Sequence, residues 1–219
     1  MQRRDFFAGA GSAAVTAATW SPSWAQAQAK APQAGVDFIK LDKPAPVETA
    51  AGKIEVIEFF WYSCPHCSAF ESVLSSWAKA LPKDVAFKRM PIAFRDDFVP
   101  QQKLFFALEA MGLVDKFQAR VFAAIHADKQ NLTSAEAITA WMVKQGVDKA
   151  KFLEQFNSFS TSTKATRARQ LQNAYQLEGV PALGVAGLYY TDGSLAKSMD
   201  RALLVSDFLI AQARSGRPA

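Results

Sequence analysis

The chain has 219 residues, of which 50% are hydrophobic and 21% are charged, and its formal net charge at pH 7 is +5. This composition predicts a globular protein with one domain of ordinary size, or one domain carrying an insertion, and it excludes a fibrous or disordered chain. The positive charge is spread along the chain without a basic block, so we expect no nucleic-acid binding.

The N-terminus has the features of an export signal. Arg3 and Arg4 precede an uncharged stretch of small and apolar residues, 6–20, and small-residue cleavage sites follow it. A membrane anchor would need about 18 or more strongly apolar residues, which this stretch lacks. We therefore predict a cleaved signal peptide, exported by either the twin-arginine or the general secretory route.

The boundaries of this leader follow from the same composition. The signal peptide is predicted over 1–25, with cleavage sites after 27 or 29 as alternatives. Residues 26–35 are rich in Ala, Gln and Pro, and we expect them to form a flexible leader.

The next segment predicts a buried central strand. Residues 53–60, KIEVIEFF, are apolar on both faces except for their acids. Glu58 lies among apolar neighbours, so we expect it to be buried, with a pKa above the usual range and a functional role. The alternative is a solvated strand residue.

The only two cysteines, Cys64 and Cys67, follow this strand with Pro65 and His66 between them. In an exported protein such a pair can form and keep a disulfide. A bridge this short closes a small loop and stabilises the fold little, which disfavours a purely structural role. Zinc is disfavoured because the only other histidine, His126, is distant in sequence and is expected on a helix surface or in the core. The pattern favours a redox-active disulfide, with no metal and no other cofactor.

A helix is predicted after the cysteines. Polar residues, including Glu71 and Ser75, are assigned to its outer side. Its apolar face is formed by Phe70, Leu74, Trp77 and Leu81.

The strand-to-helix junction gives the two cysteines different environments. We expect Ser63 to cap the helix and Pro65 to lie in its first turn. Cys64 then lies at the positive end of the helix, where free backbone N–H groups stabilise a thiolate. Cys67, one turn further, should be shielded.

The middle of the chain predicts one more strand and then only helices. Residues 85–94, VAFKRMPIAF, form a strand whose end is marked by Pro91. Thr133 and Glu136 form a predicted capping box. The expected helices are 103–111, 115–126, 133–145 and 149–156. A run of helices between strand-rich segments indicates a helical subdomain inserted in an α/β domain.

The C-terminal part returns to mixed structure. We predict a long helix over 163–177, a hairpin over 180–191 that turns near Ala186 and Gly187, and a final amphipathic helix that ends near Arg214.

Two motifs carry a resemblance to a known family. EFFWYSCPHC, residues 58–67, resembles the active-site segment of the DsbA family, bacterial periplasmic thiol:disulfide oxidoreductases with a thioredoxin fold. GVPALGVAGLYY, residues 179–190, is similar to the family's second signature, a Gly-Val-Pro turn that enters a strand. Ala186 and Leu188 depart from the Asn and Lys that are common in that turn.

The resemblance implies an α/β, thioredoxin-like fold with an inserted all-helical subdomain. The thioredoxin-like domain is then expected over 36–98 and 166–214, with the helical insertion at 99–165 and a short tail at 215–219.

The resemblance also implies roles for individual residues. Cys64 is expected to be the nucleophile and Cys67 the resolving cysteine, with the Val180-Pro181 peptide in the cis form beside them. Thiol chemistry, apart from the resemblance, adds His66 of the Cys64-Pro65-His66-Cys67 motif, which as an imidazolium or N–H donor would stabilise the Cys64 thiolate.

Beneath these residues the family pattern has a buried acid. The pattern identifies it as Glu58, which would manage the proton of Cys67, and it places Arg89 where the family often has a lysine facing that acid.

The implied function is the donation of the Cys64–Cys67 disulfide to unfolded or reduced exported proteins in the periplasm. Reoxidation would need a quinone-linked membrane oxidase of the DsbB kind, and we expect a monomer. One alternative is a disulfide isomerase or reductase, although the short segment before the first strand leaves no room for the dimerisation domain that isomerases usually carry. The other is a non-catalytic chaperone that binds clients through apolar side chains near the site, such as Phe60, Trp61 and Tyr62.

Overall fold

The computed structural model describes residues 31–216. The predicted signal peptide and the first half of the predicted leader, residues 26–30, lie outside this part of the chain, as do the last residues of the predicted tail, 217–219. The strands are β1 (Ile39–Lys40), β2 (Ile54–Phe60), β3 (Val85–Pro91), β4 (Ala182–Val185) and β5 (Tyr189–Asp192). The α-helices are α1 (Pro65–Ala80), α2 (Val99–Ala110), α3 (Val114–His126), α4 (Ala135–Lys144), α5 (Lys149–Phe156), α6 (Phe159–Ala174) and α7 (Met199–Ser215).

The strands form one mixed sheet in the order β1-β5-β4-β2-β3. β2 runs parallel to β3 and antiparallel to β4, so it is paired on both sides. This central position explains why β2 is almost continuously apolar. In the β2–β3 register Glu58 is paired with Arg89, so their side chains emerge on the same face of the sheet.

The alternation of side chains along β2 divides the core into two layers. Val56 faces α1 and α7, where it packs in a cluster with Leu74 and Leu209. Ile57 and Phe59 belong to a second cluster, which extends through the helices α2 to α6. These five helices lie between β3 and β4 in the chain, and the predicted α/β class is confirmed.

Several predicted boundaries are wrong by a few residues. α2 begins at Val99 and not at 103, because Pro100 occupies its first turn, where a missing N–H is tolerated. α6 covers Phe159–Ala174 and not 163–177, since the Ser158 hydroxyl accepts from the Thr161 N–H at 3.1 Å and so caps an earlier start. The division into domain and insertion stays a prediction, and its boundary at 165/166 lies within α6.

The predicted capping box of α4 is also wrong. Ser134, and not Thr133, is the N-cap, and its hydroxyl accepts from the Ala137 N–H at 3.2 Å. Thr133 donates instead to the Asn131 side chain at 2.7 Å. Other predicted features are confirmed: β3 ends at Pro91, and the hairpin turns at Ala186 and Gly187, both at positive φ.

Between residues 31 and 216, none of the helices combines the length and the apolar character needed to cross a membrane.

Candidate active site

Cys64 is the N-cap residue of α1. Its φ of −79° and ψ of 117° are extended, and its sulfur accepts a hydrogen bond from the Cys67 N–H at 3.3 Å. Pro65 occupies the first turn, as predicted. The predicted cap, Ser63, is wrong: its hydroxyl accepts from the side-chain amide of Gln101 at 2.7 Å. The cysteine sulfur itself therefore satisfies a free N–H group at the start of the helix.

The two cysteines differ in accessibility and acidity. Both are thiols in this structure, Cys64 with 6% relative exposure and Cys67 with 0%. The pKa of Cys64 is lowered from 9.0 to about 6, first by a hydrogen bond from the Cys67 side chain, then by the backbone N–H groups of Cys67 and His66, and last by the charge of His66. Burial acts against this shift. Burial raises the pKa of Cys67 far above the usual range, and the neighbouring Cys64 raises it further.

The Val180-Pro181 peptide lies against Cys64. It is cis, and the Cys64 thiol donates to the Val180 carbonyl oxygen at 3.4 Å. A cleft of about 350 Å³ opens next to it, lined on one side by His66, Val180 and Pro181 and on the other by the segment from Asp192 to Met199. His66 itself is exposed at the mouth of the site.

Glu58 is fully buried, with 0% relative exposure. Burial raises its pKa from 4.5 to about 8, against the opposing effect of Arg89. Arg89 donates from Nη1 to Glu58 Oε2 at 2.7 Å, so the contact that the family pattern implies is present. Within the described part of the chain, Glu58 Oε1 has no hydrogen-bond partner. The predicted burial and raised pKa are confirmed, and the charge of Glu58 raises the pKa of Cys67.

Sequence reasoning missed Glu71. It was assigned to the outer side of the helix, but it is 7% exposed and accepts from Arg89 at 2.7 and 3.0 Å. Ser75 donates to Glu71 Oε1 at 2.7 Å, one helical turn further along. The spacing of four residues between Glu71 and Ser75 indicates that both lie on the same side of α1. Only the sheet register shows that Arg89 faces them.

The aromatic residues before Cys64 were predicted to surround the site, with the core as the alternative. Phe60 and Tyr62 belong to the core, with 0% and 1% exposure, so they present no apolar surface to a client. Trp61 is partly exposed and stacks on Phe98, with ring centroids 3.8 Å apart. Of the three, only Trp61 reaches the surface near the site.

His126 lies close to the active-site segment, although it is distant in sequence. Its Nε2 is 2.8 Å from the backbone oxygen of Tyr62. The Tyr62 hydroxyl donates to Gln118 on the same helix, α3, at 2.7 Å. The prediction of a helix-surface or core histidine missed this contact.

Comparisons with known proteins agree with this geometry. A family model described as a DSBA-like thioredoxin domain matches residues 55–202. The thiol:disulfide interchange protein DsbA of Burkholderia cepacia is 43% identical over 188 residues, which cover 86% of this chain and 89% of that protein. The crystal structure of Pseudomonas aeruginosa DsbA superposes with a TM-score of 0.80 at 38% identity, covering 84% of this chain and 96% of that one. DsbA from Xylella fastidiosa superposes with a TM-score of 0.78 at 27% identity.

A thioredoxin-like fold with a Cys-x-x-Cys pair at the start of α1 defines a thiol:disulfide oxidoreductase, and the predicted thioredoxin-like fold is confirmed. The chain belongs to the DsbA family. It is a protein disulfide oxidoreductase of oxidative protein folding, and the comparisons do not favour the isomerase, reductase or chaperone alternatives.

Proposed function

We propose that the protein donates a Cys64–Cys67 disulfide to exported proteins in the periplasm and that Cys64 is the sulfur that exchanges with the client. The observation that carries this proposal is the asymmetry of the pair. Cys64 lies at the helix N-terminus next to a cleft, whereas Cys67 is fully buried. Attack on the bridge therefore occurs at Cys64.

The reaction has two exchange steps. A client thiolate attacks the Cys64 sulfur, the Cys64–Cys67 bond breaks, and the Cys67 sulfur leaves as a thiolate that takes up a proton. The second client thiolate then attacks the client sulfur of the mixed disulfide, and Cys64 leaves as a thiolate. The client loses two electrons and gains a disulfide, and the enzyme becomes the dithiol.

Each step uses a different part of the site. Cys64 is a good leaving group because its pKa is about 6. Cys67 is buried and needs a proton source, and Glu58 fits this role because burial keeps its pKa near 8 and therefore keeps it protonated at neutral pH. Stabilising the reduced thiolate makes the disulfide form an oxidant, and DsbA itself is the established example of this effect.

The site offers backbone groups to a client as well as sulfur. The Val180 carbonyl lies beside Cys64, and the adjoining cleft contains Pro181 and Met199. An extended client segment bound through its backbone would gain affinity with little sequence preference. This suits an enzyme that acts on many unfolded chains.

Completion of the cycle requires an electron acceptor. The dithiol must lose two electrons and two protons before it can act again, and we assign this step to a quinone-linked membrane oxidase of the DsbB kind. We also propose that the protein acts as a monomer. The export signal predicted in the sequence supports the periplasm as its location.

Single-turnover oxidation of a reduced two-cysteine peptide by the purified disulfide form tests the proposal. We expect loss of two peptide thiols per protein. To identify the attacked sulfur, the single remaining cysteine of Cys67→Ser and of Cys64→Ser is first converted to its mixed disulfide with thionitrobenzoate. A one-cysteine peptide should then displace thionitrobenzoate rapidly from Cys64 and remain bound there as a mixed disulfide, and it should react much more slowly at the buried Cys67. Displacement of thionitrobenzoate from Cys67 as fast as from Cys64 would contradict the assignment of Cys64 as the exchanging sulfur. A wild-type protein that left the peptide reduced would contradict the function as an oxidant.

A further inference from the structure

A tight turn connects β2 to the nucleophile. The Cys64 N–H donates to the Trp61 carbonyl at 3.0 Å, which closes a four-residue turn with Tyr62 and Ser63 as its central residues. The position of Cys64 as N-cap of α1 therefore depends on how this turn is held.

Both central residues of the turn are held by the helices between β3 and β4. The Tyr62 carbonyl lies 2.8 Å from His126 Nε2 at the end of α3. Because a carbonyl oxygen can only accept, Nε2 must carry the hydrogen. Ser63 Oγ accepts from Gln101 Nε2 at 2.7 Å, and the same amide nitrogen donates to the Leu132 carbonyl at 3.0 Å.

These contacts determine the orientation of the turn and not only its position. The Tyr62 carbonyl is part of the central peptide group of the turn, so a hydrogen bond to it fixes the plane of that peptide. Rotation of this peptide would change the direction in which the chain enters Cys64, and with it the alignment of the Cys64 sulfur with the N–H groups of α1.

We propose that His126 is a positioning residue for Cys64: its Nε2–H donor fixes the central peptide of the 61–64 turn, and through this contact the helical insertion sets how strongly the protein oxidises thiols. Gln101 holds the neighbouring residue of the same turn and supports the same alignment. The inference rests on the proposed role of Cys64 as the reacting thiol.

Two variants of His126 with amide side chains of different length test whether its hydrogen bond positions Cys64 or only stabilises the fold. His126→Gln places an amide nitrogen near the position of Nε2 and keeps the donor, whereas His126→Asn has the same chemistry but is one carbon too short to reach. Both are polar residues at a partly buried site, so both variants should fold.

The measurements are the thiolate absorbance near 240 nm against pH and the equilibrium with glutathione. With His126→Asn we expect the pKa of Cys64 to rise by about 0.5–1 unit and the equilibrium constant for oxidation of glutathione to fall about three- to tenfold. Changes of this size correspond to the partial loss of one neutral hydrogen bond. His126→Gln should remain close to wild type in both measurements.

Thermal unfolding of the two redox forms separates a positioning role from a purely structural one, because a purely structural contact would stabilise both forms equally. We expect His126→Asn to destabilise the reduced form more than the oxidised form, because the aligned thiolate exists only in the reduced form. Equal losses in both forms, with unchanged titration and unchanged glutathione equilibrium, would overturn the inference. A wild-type protein without a low Cys64 pKa would instead overturn the proposed function itself, so the two failures are distinguishable.

Discussion

Arg89 and Glu58 form a buried ion-pair contact between neighbouring strands, with Nη1 donating to Oε2 at 2.7 Å. The same nitrogen also contacts Glu71 at 2.7 Å, so one guanidinium holds two carboxyl groups beneath the active site. A protonated Glu58 leaves Arg89 and Glu71 as a balanced pair, whereas an ionised Glu58 adds an uncompensated buried negative charge. The protonation of Glu58 therefore affects both stability and chemistry.

Glu58→Gln should remove a pH dependence of stability. Burial raises the pKa of Glu58 from 4.5 to about 8, so between these values the folded protein keeps a proton that the unfolded chain releases. The contribution of Glu58 to the free energy of unfolding therefore falls as pH rises from about 4.5 to about 8. The lowered pKa of Cys64 contributes in the opposite direction above about pH 6 in the reduced form of both proteins, so the difference between the variant and the wild type isolates Glu58. We expect Glu58→Gln to be more stable than wild type at pH 8 by roughly 1–3 kcal/mol, measured by urea unfolding.

The matched control for this prediction is Glu109→Gln, which changes an exposed glutamate paired with Lys164. It should leave the pH profile of the wild type unchanged. Parallel profiles for Glu58→Gln and wild type would show that Glu58 has the same pKa in the folded and unfolded states.

Arg89→Met should lower the free energy of unfolding, because it leaves buried carboxylates without their positive partner. Glu71 would remain buried without its guanidinium partner, and the expected loss at pH 8 is about 3–5 kcal/mol in urea unfolding. The loss should be smaller at pH 5, where Glu58 is protonated and adds no second unpaired charge. Arg95→Met, which breaks an exposed pair with Asp97, should change stability little. Similar losses for the two variants would contradict the importance of the buried cluster.

His66→Ala should make the protein a weaker oxidant. The imidazole is exposed, and its charge is the last of the causes that lower the pKa of Cys64, while the backbone N–H of residue 66 remains. We expect the pKa of Cys64 to rise by about 0.5–1 unit and the equilibrium constant with glutathione to fall about three- to tenfold. His66→Lys keeps a positive charge and should lie closer to wild type. An unchanged titration of His66→Ala would leave the helix N-terminus and Cys67 as the sources of Cys64 acidity.

Much of the active site could be predicted from local sequence. The strand before Cys64, the helix after it and the burial of Glu58 all follow from apolar patterning and the position of Pro65. The cis Val180-Pro181 peptide came only from the resemblance, because most X-Pro bonds are trans.

The parts that were missed depend on contacts between distant segments. The helical pattern shows that Glu71 does not belong to the apolar face of α1. It does not show that Arg89 on β3 contacts Glu71, so that this side of the helix is buried although it is polar. Tyr62 is buried because α3 supplies Gln118 for its hydroxyl, and His126 reaches the turn only through the docking of the same helix. Ser63 was predicted as the N-cap because serine hydroxyls are common N-caps. The Ser63 hydroxyl instead accepts a hydrogen bond from Gln101, and the Cys64 sulfur accepts one from an N–H group of the first turn of α1.

The equilibrium between the Cys64–Cys67 pair and glutathione at pH 7 tests the central claim most directly, with the redox forms separated by acid quenching, thiol alkylation and mass spectrometry. A pair whose reduced form is stabilised at the helix N-terminus should be mostly dithiol in a buffer poised at about −180 mV, the range of protein disulfide isomerase, and should become disulfide only in a more oxidising buffer. A pair that stayed mostly disulfide down to about −270 mV, the range of thioredoxin, would contradict the account, because the protein would then be a reductant and not a donor of disulfides.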